Sequence, residues 1–140
     1  MARTPAFKLA DTAQQVVGGF LLAGPFVVTE EVWVLASNMS WGHAGLTAAI
    51  VFAIGYGALY EADDDRDPDR EAEVAGVPLR FVSLMTVSFG SVAVLAVTLT
   101  APSTFLSDLA TAERVQVTVR AVSVGAIFSV VGAATADSVF

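Results

Sequence analysis

The sequence predicts an all-α integral membrane bundle of four transmembrane helices, and three observations predict it. Hydrophobic residues make up 55% of the 140 residues and charged ones 15%, against about 25% charged in an average soluble domain. Ten of the 21 charged side chains lie between Glu61 and Glu73, which leaves too little charge elsewhere to cover the surface of a soluble fold. Four apolar runs are each long enough to cross a bilayer, which takes about 20 residues.

The runs follow one another along a single domain, residues 1–140. The first span, about 14–36, is interrupted only by Glu30 and Glu31, and Pro25 is expected to kink it by removing one backbone hydrogen bond. Two adjacent glutamates before Val34-Leu35-Ala36 argue against reading it as a cleaved leader. Ser37 to Ser40 forms a turn. The second span, about 40–60, has no fixed charge. An acidic loop, 61–76, separates it from the third span, about 79–101, whose exit Pro102 marks. A loop of amphipathic character, Pro102 to Arg114, leads to the fourth span, about 115–137, with Arg120 inside it and Asp137 at its end. No run alternates polar and apolar residues as a membrane β-barrel strand does.

Orientation follows from the basic residues. Arg3, Lys8, Arg66, Arg70 and Arg80 fall on one side, Arg114 and Arg120 on the other. The excess predicts a multi-pass protein of the cell membrane with both termini and the acidic loop in the cytoplasm.

Two rows of small residues recur at every fourth position. Gly45, Ala49, Ala53 and Gly57 form one in the second span. Ala121, Gly125, Ser129 and Ala133 form another in the fourth, and Asp137 continues it. Small residues at this spacing let helix backbones approach closely, which matters because lipid provides no hydrophobic push between helices. The rows predict packing, either within the chain or in a homo-oligomer, a dimer or higher.

Glu30 and Glu31 are the most conspicuous polar residues, since a carboxylate within a span is costly. With Thr29 and the kink at Pro25 they give polar lining at one depth, a site for a small cation or a proton. The alternative is a helix end whose glutamates reach water. The fourth span enters from the side where the first exits, so Arg120 is expected at the depth of Glu31. A buried Arg120–Glu31 pair, with Glu30 as competitor, is the predicted polar contact; an arginine reaching the headgroups is the alternative.

The stretch Pro25-Phe-Val-Val-Thr29-Glu-Glu31-Val32-Trp33 resembles the Pro-x-x-x-Thr-x-Glu-Val-Trp signature of an uncharacterised family of integral membrane proteins of bacteria and haloarchaea. The resemblance covers the first span and implies the membrane class. Some members of that family are about twice as long, which implies that a chain of this length pairs.

Other chemistry is excluded or unsupported. Without Cys there are no disulfides, thiolate metal sites or thiol catalysis. The lone His43 excludes a bis-His haem within one chain, and the only lysine, Lys8, lies outside every apolar run, which excludes a retinal Schiff base. A net charge of −7 argues against nucleic-acid binding. The acidic loop lacks the glycine and glutamate spacing of an EF-hand, so no metal site and no cofactor are predicted. With a pI near 4.4, it suits a chain adapted to high salt. Gly55-Tyr56-Gly57 matches the tripeptide of potassium filters but sits in a continuous apolar span, where packing glycines are expected. No serine has a base to activate it, so no catalytic residue and no enzyme activity are expected. Two functions remain: an oligomeric ion or proton channel or transporter using the intramembrane acids, or a non-transporting accessory or structural subunit of a membrane complex.

Overall fold

The structure is a computed structural model that describes residue 7 and residues 9–61, 73–74 and 76–139. Most of the acidic loop, with its predicted cytoplasmic position, lies outside the described residues. The rest is an all-α bundle. Helix α1 is Leu9–Val27, α2 is Glu30–Asn38 and α3 is Trp41–Tyr56, which continues as one wide turn to Glu61. Two short strands, β1 (Glu73–Val74) and β2 (Val77–Pro78), pair antiparallel around Gly76, whose φ of 83° lies in the left-handed region that glycine tolerates. Then come α4 (Leu79–Thr98), the single turn α5 (Ala101–Phe105) and α6 (Thr111–Val139).

Three helices, Trp41–Tyr60, Leu79–Thr98 and Thr111–Ser138, are each long and apolar enough to cross a membrane, and the pair α1 and α2 passes the same test jointly. That pair departs from the expected continuous first span: α2 leaves α1 at an angle of 80°. The reason lies in how the end of α1 is hydrogen-bonded. Pro25 has no N–H and frees the carbonyl one turn earlier. Four residues past it the backbone opens at Thr29, with φ −99° and ψ 119°. The Thr29 hydroxyl donates to the Pro25 carbonyl at 2.6 Å and its amide to the Phe26 carbonyl at 3.3 Å. The Trp33 indole donates to the Val27 carbonyl at 2.9 Å. A helix end in an apolar setting must have such partners. The four-residue spacing of Pro25, Thr29 and Trp33 therefore specifies a bend, placed just past the proline instead of at it.

Helix α3 starts with a reciprocal cap. Ser40 accepts from the His43 amide at 3.2 Å, and the Ser40 amide donates to His43 Nδ1 at 3.1 Å. The single histidine is thus a capping residue. At the other connection, Thr100 adopts φ 55° and Pro102 occupies the first turn of α5, where its missing N–H costs nothing.

Helix α6 is the centre of the bundle. It takes part in both core clusters: with α1, α2, α4 and α5 around Ala23, Trp33, Val92 and Ala121, and with α3 and α4 around Val51, Leu84, Ala126 and Val130. The row Ala121, Gly125, Ser129, Ala133 is buried within the chain. Ser129 donates to the Gly19 carbonyl at 3.2 Å, and Gly125 faces Val92. Beside this row, Gly18 of α1 and Gly132 of α6 meet backbone to backbone; a Cβ on either would collide with the carbonyl oxygen of the other. The other row is placed differently. Gly45, Ala49 and Ala53 are exposed, and Gly57 is half-buried with open space where a Cβ would stand.

The two crossings give opposite expectations for one substitution. Gly132→Ala should destabilise by about 1–3 kcal/mol, because the helices have to separate. Gly45→Ala meets nothing and should be neutral or stabilise by about 0.5–1 kcal/mol through helix propensity. Thermal unfolding in detergent, followed by circular dichroism, checks both.

Candidate functional site

The fully buried charged residues among those described, Arg80 and Asp137, lie at one end of the bundle. Helices α1 and α4 start there and α6 ends there. The β1–β2 hairpin delivers the chain into α4 through Pro78, so Arg80 falls in the first helical turn. A cation at that position opposes the helix dipole, and so does Asp137 in the last turn of α6. Because α4 and α6 run antiparallel, the two misplaced charges meet. Arg80 Nη1 donates to Asp137 Oδ1 at 2.7 Å, with side chains 1% and 0% exposed. Arg80 Nη2 reaches Asp11 Oδ2 at 3.3 Å, and the guanidinium lies 5.3 Å from the Phe7 ring centroid.

Residues one turn further in complete the network. Gln15 shares the face of Asp11, four residues on, and is fully buried. Its amide nitrogen donates to Asp137 Oδ2 at 3.1 Å, and its amide oxygen accepts from Ser83 at 2.6 Å. With its proton committed to Gln15, Ser83 accepts from Thr12 at 3.0 Å. One guanidinium, two carboxylates, an amide and two hydroxyls thus tie α1, α4 and α6 together. Deeper in the same seam, Ser91 and Ser129 converge on Gly19, and the buried Ser91 hydroxyl has no hydrogen-bond partner. Beyond that level the seam is closed by Ala23, Val27, Val92 and the stacked rings of Phe26 and Phe128, whose centroids are 3.6 Å apart.

The predicted pair is not formed. Glu30 and Glu31 are both exposed in the first turn of α2, where the dipole favours acids. The inward face of α2 is taken by Val32, Trp33 and Ala36, which pack with Val117 and Ala121 of α6. The bend at Thr29 thereby points both glutamates away from α6. Arg120 instead lies over Trp41, 5.2 Å from its ring centroid. Among the described residues no ion pair joins Glu30, Glu31 or Arg120 to anything. Thr29 is committed to the helix end. Asp137 alone of the expected polar residues lies within a buried network, with Arg80 and not Arg120.

Arg80, Gln15, Asp11 and Ser83 were missed as partners. A readable signal exists: in an up-and-down bundle the starts of the first and third spans and the end of the fourth share one side, and each carries a charge. Among the described residues, no group of three acidic or histidine side chains could hold a metal ion. Gly55 packs against Met85 and Leu84, and Gly57 continues the helical path, so this tripeptide is part of a helix. No known family, curated protein or solved structure matches the chain.

Breaking the network asymmetrically should do more harm than replacing its central pair. Arg80→Met should cost about 3–5 kcal/mol, since Asp137 stays buried and loses the guanidinium at 2.7 Å, and Arg80→Met with Asp137→Asn should recover much of that. Unfolding midpoints of the two variants beside wild type provide the check; equal losses would show that water reaches Asp137.

Proposed function

We propose that this chain is a small multi-pass membrane protein that does not transport, and that serves as a packing subunit of a membrane assembly, whether with copies of itself or with other spans. The observation that carries this reading is the contrast between the two small-residue rows. One is consumed inside the chain, while the row on α3 faces outward, on a helix whose membrane-length segment is only 22% buried. Close backbone approach is the main source of helix affinity in lipid, so an outward row is suited to another span. The packed apolar seam between the buried network and the far end of the bundle supports a non-conducting interior. The likeness of Pro25–Trp33 to the uncharacterised membrane family supports the membrane class and adds no activity.

A second reading has its own support. A small-ion or proton carrier needs ionisable groups inside the bundle. Arg80 and Asp137 provide them, and the unpartnered Ser91 hydroxyl continues the polar trail inward by about two turns.

Flux and mass measurements separate the two. Liposomes carrying wild type or Asp137→Asn should leak protons and cations no faster than empty ones. Wild type should run as an oligomer or complex in mild detergent, and Ala49→Phe should lower that mass. Flux above background in wild type that Asp137→Asn abolishes would replace the first reading by the second.

We also propose the cytoplasmic placement of both termini and the acidic loop, on the excess of basic residues on that side. A cysteine introduced at Asp65 should then stay unlabelled by an impermeant reagent in intact cells and become labelled after lysis.

A further inference from the structure

At the end of the bundle opposite the buried network, an open groove of about 540 Å³ runs between α3, α4 and α6. Its size falls within the usual ligand-site range of about 300–1,000 Å³. Trp41, Ala44, Ala48, Phe89, Ala93 and Val122 line it, and its wall is almost wholly apolar. Two hydroxyls on that wall are already committed to their own helix: Thr118 donates to the Arg114 carbonyl at 2.7 Å and Ser123 to the Arg120 carbonyl at 2.7 Å. The groove therefore offers nothing to a polar ligand along its length.

Its end is different. Trp41, the first residue of α3, lines the groove and carries the Arg120 guanidinium 5.2 Å from its ring centroid. Among the described residues Arg120 has no carboxylate partner, and its Nε is buried without a hydrogen-bond acceptor. Along α6, sixteen uncharged residues separate Arg120 from Asp137. At 1.5 Å per residue that is about 24 Å, close to the ~30 Å hydrocarbon thickness of a bilayer. With Asp137 at one boundary, Arg120 and Trp41 stand at the other, where headgroups lie and where tryptophan is enriched. An apolar channel open to the side, capped by an unpaired cation at headgroup level, matches one kind of molecule in both its parts.

We propose that this groove holds the acyl chain of an anionic phospholipid, with its phosphate against Arg120 beside Trp41. The site uses the cation that the bend at Thr29 leaves without a glutamate. It rests on the membrane reading given above, and because Gly45 of the outward α3 row also lines the groove, a lipid there and a partner helix packed over Gly45 exclude each other.

Tryptophan fluorescence reads the site directly, because Trp41 is 54% exposed and Trp33 only 2%. The full chain is reconstituted into phosphatidylcholine nanodiscs with a small fraction of acyl-brominated phosphatidylglycerol, or with the same fraction of brominated phosphatidylcholine. In wild type the anionic lipid should be enriched at Trp41 about fivefold, the factor one arginine contributes towards an anionic headgroup. Arg120→Gln should remove that preference. Ala48→Phe, which fills the groove and leaves Arg120 in place, should lower quenching by both lipids. Added inorganic phosphate should displace nothing. Equal quenching by the two lipids in wild type, a preference that survives Arg120→Gln, or displacement by free phosphate would each overturn the site. So would the absence of any quenching in a dimer, with a helix of the second copy in the groove. Failure of the chain to enter nanodiscs at all would overturn the membrane reading beneath it.

Discussion

Arg80 is 1% exposed and Asp137 not at all, and an isolated charge so far from water is strongly unfavourable. Each also sits at the wrong end of its own helix dipole. Their encounter resolves both problems, and it is possible only if the start of α4 lies beside the end of α6. Asp11 and Gln15 then require α1 to enter at the same level and in the same direction as α4. The order and polarity of three helices thus follow from one guanidinium. A buried pair of this kind adds little net stability over apolar packing, but it penalises every other register of these helices.

The packing above this network obeys a different rule. In lipid, apolar side chains gain little by leaving their surroundings, so proximity itself has to stabilise the contact. Helices α1 and α6 achieve it where Gly18 and Gly132 allow the backbones to touch and Ser129 to reach the Gly19 carbonyl. Helix α3 has no such contact with its neighbours. It is held by larger side chains, Val51, Leu59 and Tyr60 against Leu84, Met85 and Val130, with Gly55 seated against Met85 and Leu84, while Gly45, Ala49 and Ala53 face away.

The four helical segments were legible because composition and run length alone separate a membrane bundle from a soluble fold. The bend at Thr29 was not. Pro25 signals an interruption, but its position and size depend on Thr29 and Trp33 acting as donors to the end of α1, which sequence hydropathy does not encode. Glu30 and Glu31 drew attention because they interrupt an apolar run. Once the helix turns, they are surface residues at a helix start. Arg80 and Asp11 sit at run boundaries, where charge is ordinary, and Gln15 carries no charge at all. The pairing of Arg80 with Asp137 becomes visible only when antiparallel helices are laid side by side. The fourth-span small row was expected to pack either within the chain or between chains, and in the structure it is buried against helices of the same chain.

The bend also makes the helices unequal. Helix α1 stops after 19 residues and α6 continues for 29, about 28 Å against about 43 Å of length. Both start or end at the buried network, so the excess of α6 lies entirely on the other side. There α2 and α5 lean on it, with Trp33 stacked on Phe105 at 6.1 Å. With Asp137 and Arg120 bracketing the hydrocarbon, α1 spans the same depth as the apolar stretch between those two charges, and the excess of α6, residues 111–119, stands beyond it. In a bilayer so placed, that stretch of α6 with α2 and α5 would form a ledge at headgroup level, which makes the molecule broader in one leaflet than in the other.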